Sequence, residues 1–302
     1  MKKSVYKSKS ISNEFRMRGL VCLLVCFATL LMLSYLTVTI SLRQQAADRY
    51  DRQAIQKAKV QKLYDNVVYP ISSNMAYQIE NGNYSVVEDL FVQNVKGRIN
   101  PLGRFDNFVS TGEYFYALAG PLPGVPTAGK VRAVSIEFTG PIICWENSCH
   151  YRVIISVLDF DTNSVWSNFT HIGLANFNSE NQICSYEANF VGMSRRDLPE
   201  DEAVRSKHIT KLCAGIQALC VGGNQQYADQ EECAKFMHSI PYGGNGQSDQ
   251  NTRSCRVIHL ALAKANPKTH CPHVGPTGGG KCIYHSEESY LDNLDECRDK
   301  NW

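Results

Sequence analysis

The sequence has almost no excess of charge: 31 Lys and Arg stand against 29 Asp and Glu, leaving +2 over 302 residues. That excludes the strongly basic surface on which nucleic-acid binding rests, so no nucleic-acid partner is expected. Two local absences say more. Residues 19–42, GLVCLLVCFATLLMLSYLTVTISL, lack any charged side chain, and residues 43–68, RQQAADRYDRQAIQKAKVQKLYDNVV, lack both glycine and proline. The first run has the roughly 20 residues that a bilayer-spanning helix needs, which predicts a membrane span with lipid as its partner. A buried core helix is the alternative, but over such a length it would normally keep a polar face. The second run favours a helix. Apolar Ile55, Val60, Leu63, Val67 and Val68 gather toward its end, so a stalk is expected whose last turns pack on the next domain.

Charge around the span sets its orientation. Lys2, Lys3, Lys7, Lys9, Arg16 and Arg18 precede it against the single acid Glu14, whereas Arg43 and Arg49 are balanced by Asp48 and Asp51. The positive-inside rule leaves residues 1–18 as a cytosolic tail. A cleaved signal peptide would have an apolar region of about 7–15 residues and a small-x-small cleavage site, neither of which is evident. A single-pass type II protein with an uncleaved signal anchor is expected, its C-terminal domains lumenal or extracellular.

Twelve cysteines sort by compartment. Cys22 and Cys26 lie in the span; Cys144, Cys149, Cys184, Cys213, Cys220, Cys233, Cys255, Cys271, Cys282 and Cys297 lie beyond it. An even number on the lumenal side reads as disulfides. The sequons at Asn83 and Asn168 predict N-glycosylation on that same side.

Beyond the stalk, a helix from Pro70 to about Glu80 should stop at Asn81-Gly-Asn83, and an irregular stretch, 90–108, should lead to a short helix over 112–119. Pro121, Pro123 and Pro126 close this helical half. From Val131 the period becomes that of strands, in four segments with turns at 146–148, 161–164 and 178–181, which predicts an antiparallel meander. Helices followed by a curled antiparallel sheet make an α+β class. The expected divisions are 1–18 tail, 19–42 anchor, 43–68 stalk, 69–193 α+β domain and 205–302 cysteine-rich module.

This element order, together with Gly173, Phe177, Asn178, Ile183, Ser185 and Tyr186 in a G-x-x-x-F-N-x-x-x-x-I-x-S-Y pattern, resembles the nuclear-transport-factor-like cone fold of ketosteroid isomerases and polyketide cyclases over about 50–193. The resemblance implies a fold that hosts enzymes and non-enzymes alike. The C-terminal part, with C-V-G-G-N-Q-Q-Y-A-D-x-x-E-C from Cys220, N-T-R-S-C-R-x-x-H from Asn251 and H-C-P-H-V-G-P-T-G-G-G-K-C from His270, resembles a cysteine-rich module of secreted bacterial and fungal proteins. That resemblance implies an extracellular setting and disulfides, and no reaction. Eight cysteines alone allow 105 pairings.

Three constellations carry chemistry. Gly275 to Lys281 spells G-x-x-x-x-G-K, but Cys282 replaces the hydroxyl a phosphate loop needs for magnesium and no apolar strand precedes it, so nucleotide binding is not expected. His259, His270 and His273 with Cys271 suit copper or zinc. If Cys271 is oxidised, the favoured reading is that the histidines hydrogen-bond their own loop and no cofactor is bound, with copper or zinc held by the histidines alone as the alternative. Cys144 and Cys149 flank a hairpin turn and can reach the roughly 4 Å a disulfide requires.

The strand around His171 predicts the cone's lining. If Asn168 carries a glycan it faces out with Trp166, Thr170, Ile172 and Leu174, so Phe169, His171, Gly173, Ala175 and Phe177 face in. His171 could then act as a general base with Tyr114 or Tyr116 and with Glu137, Asp159 or Glu187. The outward apolar residues need cover from the cysteine-rich module or from a second subunit, as in a homodimer. Asp159-Phe-Asp161 also has the acid-x-acid form of glycosyltransferases, without their repeated strand-helix pattern. The sequence favours a membrane-anchored extracytoplasmic binding protein for a ligand or protein partner. Next come a small-molecule isomerase or hydrolase using the cone pocket and, last, a type II glycosyltransferase.

Overall fold

The computed structural model describes residues 6–100, 102–118, 131–159, 163–192, 201–244 and 247–286. Cys297, Asp161 and the prolines at 121, 123 and 126 lie outside them. Helix α1, Tyr6–Asp65, contains the apolar run; it is long and apolar enough to cross a membrane, with mean hydropathy 1.5 over the most apolar window. Residues 1–52 and 53–302 form separate compact units, and the sheet and every later helix belong to the second.

In the last turns of α1 and just beyond it, Gln56, Val60, Leu63, Tyr64 and Val67 are buried, a spacing that repeats one helical face. Ile55 is 46% exposed and Tyr64 takes the central place, because the buried stripe runs through positions 56, 60, 63, 64 and 67. Helices α2, Ile71–Glu80, and α3, Ser85–Glu88, come next. The stretch 90–108, expected to be irregular, is instead strand β1, Phe91–Asn100, and β2, Gly103–Phe105. Its burial alternates from Val95 onward, but the register with β7 shifts between Phe91 and Lys96 and breaks the alternation at Gln93 and Asn94. Helix α4, Phe108–Gly112, is capped by Asn107 and runs directly into a π-helical turn, Glu113–Ala117.

The remaining strands are β3, Val131–Phe138; β4, Ile143–Trp145; β5, Ser148–Asp159; β6, Ser164–Phe177; and β7, Ile183–Val191. The described sheet has seven strands in the order β2-β1-β7-β6-β5-β3, with β4 beside β5. It is mixed, because β1 runs parallel to β7, so the antiparallel meander forms only part of it. The α+β class stands.

One face of this sheet carries the core. Tyr151, Val153, Ile155, Ala175, Phe177, Tyr186 and Ala188 pack there against α1, α2 and the π-turn. Two core tyrosines lie over the glycine directly opposite them on the neighbouring strand, Tyr151 over Gly173 and Tyr186 over Gly97. A Cβ on Gly173 would sit 2.3 Å from the Tyr151 ring, so only glycine fits. On the other face Ile172 is 42% exposed, and Asn168 at the exposed position opposite Ser156 shares that face.

The described C-terminal part is mainly helical. Helices α5, Glu202–Leu219; α6, Gln230–Ser239; α7, Arg253–Ala263; and α8, Pro267–Val274 are capped by Asp201, Asp229, Thr252 and Asn266. They bury their own cluster of Ile209, Leu212, Ile216, Tyr227, Met237 and Leu260. Disulfides Cys213–Cys233, Cys220–Cys271 and Cys255–Cys282 link them, Cys144–Cys149 joins β4 to β5, and Cys184 is also disulfide-bonded. Gly215 lies within α5, but most of the described glycines here lie in the connections: Gly279, at φ 54, is in the turn after α8.

Candidate functional site

Helix geometry gathers the three histidines of the C-terminal part. In α7, the Thr252 hydroxyl accepts a bond from the Cys255 amide and starts a helix whose buried face holds Cys255 and, one turn on, His259. In α8, Asn266 caps the start and Pro267 occupies the first turn, where its missing N–H costs nothing. His270 and His273, three residues apart, then share a face toward α7. Their Nδ1 atoms converge: His270 Nδ1 and His273 Nδ1 lie 3.1 Å and 3.0 Å from His259 Nδ1. His259, His270 and His273 are 3%, 1% and 8% exposed.

The π-turn of the preceding domain holds the far side of two of these rings. His270 Nε2 lies 3.0 Å from Glu113 Oε2, while Glu113 Oε1 accepts from Asn266 Nδ2 at 3.2 Å. The Tyr114 hydroxyl lies 3.1 Å from His259 Nε2. Glu113 is 1% exposed, an acid in the interior. Lys281, after the glycine turn, donates to the Arg104 carbonyl at 2.8 Å and so ties the α8 turn to the β2 end.

Electrostatics disfavour a charge on two of these imidazoles, His259 and His273. Burial first, then the neighbouring His273 and His270, holds His259 well below the usual histidine range. Burial, followed by His270 and Lys281, lowers His273 to about 4. A neutral imidazole has one N–H and one lone pair. A carboxylate only accepts, so His270 donates its Nε2–H to Glu113 and turns its Nδ1 toward His259. One proton on His259 Nδ1 can point at one neighbour well and leaves the other facing an N–H or another lone pair. A cation among the three nitrogens would satisfy all of them. The buried cluster could therefore hold a metal ion. Cys255 and Cys282 also approach His259, but as a disulfide they offer no thiolate.

The cone-side residues do not assemble in the same way. His171 is 1% exposed, faces in from β6, and its Nδ1 bonds to the Tyr64 hydroxyl. Around it stand Phe190, Tyr64, Tyr151 and Phe115, with ring centroids 4.9, 5.4, 6.4 and 6.5 Å away. Its Nε2 is buried without a hydrogen-bond partner among the described residues. Burial lowers its pKa to about 3. Glu187, opposite Leu174, lies on the other face and pairs with Arg98 at 3.3 Å. Glu137, opposite Ile154, is exposed. Asp159 ends β5 opposite Val131 and Ser164. Tyr116 is buried in the core, and Tyr114 joins the histidine cluster rather than His171. Glu113 was not singled out by sequence reasoning; its signal was a lone acid inside the apolar run FVSTGEYFYALA.

Comparison with known proteins places residues 178–285 as a match to the BfoA family C-terminal domain, a stretch that includes all three histidines. Aurasperone B biosynthesis cluster protein A of Aspergillus niger is 26% identical over 245 residues, spanning 73% of this chain and 74% of that protein. Bifonsecin B biosynthesis cluster protein A of Aspergillus brasiliensis is 26% identical over 247 residues, 73% and 76% of the two chains. Among solved structures, a SnoaL-like family protein of Agrobacterium tumefaciens aligns over 45% of this chain and 98% of its own, with 12% identity and TM-score 0.32. A steroid delta-isomerase of Pseudomonas aeruginosa aligns over 46% and 82%, with 10% identity and TM-score 0.29. At such scores the structural likeness is slight.

Proposed function

We propose that the chain is a type II membrane-anchored metalloenzyme of the secretory lumen that acts on a small-molecule natural product. In this reading copper or zinc is bound through Nδ1 of His259, His270 and His273. The observation that carries it is the convergence of three buried Nδ1 atoms around His259, with no thiolate among them. Three histidines leave a coordination position open, which a catalytic ion needs. An ion so placed can polarise a carbonyl or hydroxyl oxygen, as isomerase and hydrolase chemistry requires. The names of the two Aspergillus relatives supply the substrate class. The basic tail, the apolar helix and the oxidised cysteines support the anchor and the lumenal setting, in which Asn83 and Asn168 would carry glycans.

A binding role without chemistry is the second reading, favoured by the aromatic packing around His171 with no carboxylate partner. Two measurements separate them. Metal analysis of the purified chain should find stoichiometric copper or zinc that is lost in a His259→Ala, His270→Ala, His273→Ala variant. A fungal strain lacking the chain should accumulate a precursor, and the variant should fail to relieve it. Relief by the variant would leave the binding role.

A further inference from the structure

We propose that Glu113 and Tyr114 are positioning residues of this metal site, reaching it from the neighbouring domain to fix which nitrogen of His270 and His259 carries the proton. This inference rests on the metal reading above and specifies how the ligands are held. All three ligands come from α7 and α8, but the atoms touching the far nitrogens of two of them come from one π-turn. Such turns are found frequently at functional sites. Here the interruption lets two consecutive side chains, Glu113 and Tyr114, reach two different histidines.

Counting protons gives the consequence. A metal on three Nδ1 atoms requires every ligand proton to sit on Nε2. His270 already meets this, since its Nε2–H has the Glu113 carboxylate 3.0 Å away. That partner also makes the ring a stronger donor to the ion, as carboxylates behind metal-bound histidines do. His259 is different. Without an ion, its Nδ1 can carry the proton, shared toward His270 and His273, while Tyr114 donates to Nε2. With an ion held on Nδ1, the proton would sit on Nε2 and the Tyr114 oxygen, 3.1 Å away in this structure, would accept it. Tyr114 thus reverses from donor to acceptor, and its own O–H is released from His259. His273, at 8% exposure, is the most open of the three ligands, so the open coordination position is expected on its side.

A purely structural role for the two contacts, tying the domains together, would leave the electronic state of the imidazoles unaffected. The test therefore uses copper(II) as the probe on the full chain in detergent, comparing wild type with Glu113→Gln and Tyr114→Phe, both close in shape to the native residues. Competition titration should show copper binding weakened about 10–100-fold in each variant. Electron spin echo modulation, which reads the uncoordinated imidazole nitrogen, should show altered quadrupole frequencies for one ring in each variant while three nitrogens stay bound. Copper affinity within about twofold of wild type together with unchanged remote-nitrogen frequencies in both variants would overturn the positioning role and leave the metal site standing. A wild-type chain that binds no copper or zinc would remove the metal reading, and this inference with it. Should Glu113→Gln lower the yield of folded chain, Tyr114→Phe alone reads the His259 half, since it removes one oxygen and no packing.

Discussion

Lowering the pH from 7.5 to 5.0 should destabilise the folded chain, and His171 should account for a definable share. The ring is enclosed by Tyr64, Tyr151, Phe115 and Phe190, and its Nε2 has no hydrogen-bond partner among the described residues, so a proton added there would be a buried charge without an acceptor. Burial accordingly lowers its pKa to about 3. In the unfolded chain the value returns to about 6.5. Between those values the unfolded state binds the proton and the folded state does not, so stability is complete above about pH 6.5 and falls as the pH drops toward 3. Each pH unit below 6.5 costs about 1.4 kcal/mol, so the loss at pH 5.0 is about 2 kcal/mol. The assay is guanidinium unfolding of the detergent-solubilised chain, disulfides intact, at both pH values, for wild type and His171→Gln. The substitution costs stability of its own at either pH, which cancels in the difference between the two. His259 and His273 are also lowered by burial and contribute with the same sign in both proteins, so they cancel too. The wild type should therefore lose about 2 kcal/mol more than the variant on acidification. An equal acid-induced loss in the two proteins would refute the reasoning, and would mean that His171 finds a partner for its proton.

Other substitutions probe the packing and the staples. Gly173→Ala should cost about 1–3 kcal/mol in guanidinium unfolding, because its methyl would meet the Tyr151 ring at 2.3 Å, and Tyr151→Leu in the same chain should recover part of that. Loss of a disulfide should scale with the loop it closes: replacing Cys220 and Cys271, 51 residues apart, should cost about 4 kcal/mol, against about 2 for Cys144 and Cys149, five apart. Gly279→Ala should weaken metal binding in a competition titration, because its Cβ would approach the His273 ring to 2.6 Å at a φ that already favours glycine. Asn83→Gln and Asn168→Gln should each remove one mobility step on a deglycosylation gel, since both side chains are exposed.

The sequence made the periodic features legible. The stripe at the end of α1, the alternation that turns His171, Gly173, Ala175 and Phe177 inward, and the hairpin carrying Cys144 and Cys149 all derive from spacing along one element. Hidden features depend on residues far apart. Strand β1 looked irregular because its polar Gln93, Asn94, Lys96 and Arg98 mask the alternation, while its place is set by parallel pairing with β7 some 90 residues later. The helices of the C-terminal part were obscured by glycines that lie mainly in the connections, whereas the capping residues Asp201, Asp229, Thr252 and Asn266 stood in the sequence as their start signals.

The candidate site divides along the same line. His259, His270 and His273 lie within 15 residues of one another, and helical spacing plus a short connection is enough to suggest that they meet. Glu113 and Tyr114 are some 150 residues away, in a turn whose own periodicity assigns Tyr114 to the cone. What could have flagged Glu113 is energetic rather than periodic. An ionised carboxylate inside an aromatic helix costs several kcal/mol unless something donates to it, so an unpaired acid in FVSTGEYFYALA demands a distant N–H. His270 Nε2 and Asn266 Nδ2 are those donors. The demand runs in the other direction as well: three histidines whose Nδ1 atoms meet at His259 would need their protons on the far nitrogens for an ion to enter. The turn that solves the first problem for Glu113 also solves the second for His270, so the burial of one acid and the readiness of one ligand are a single interaction seen from its two ends.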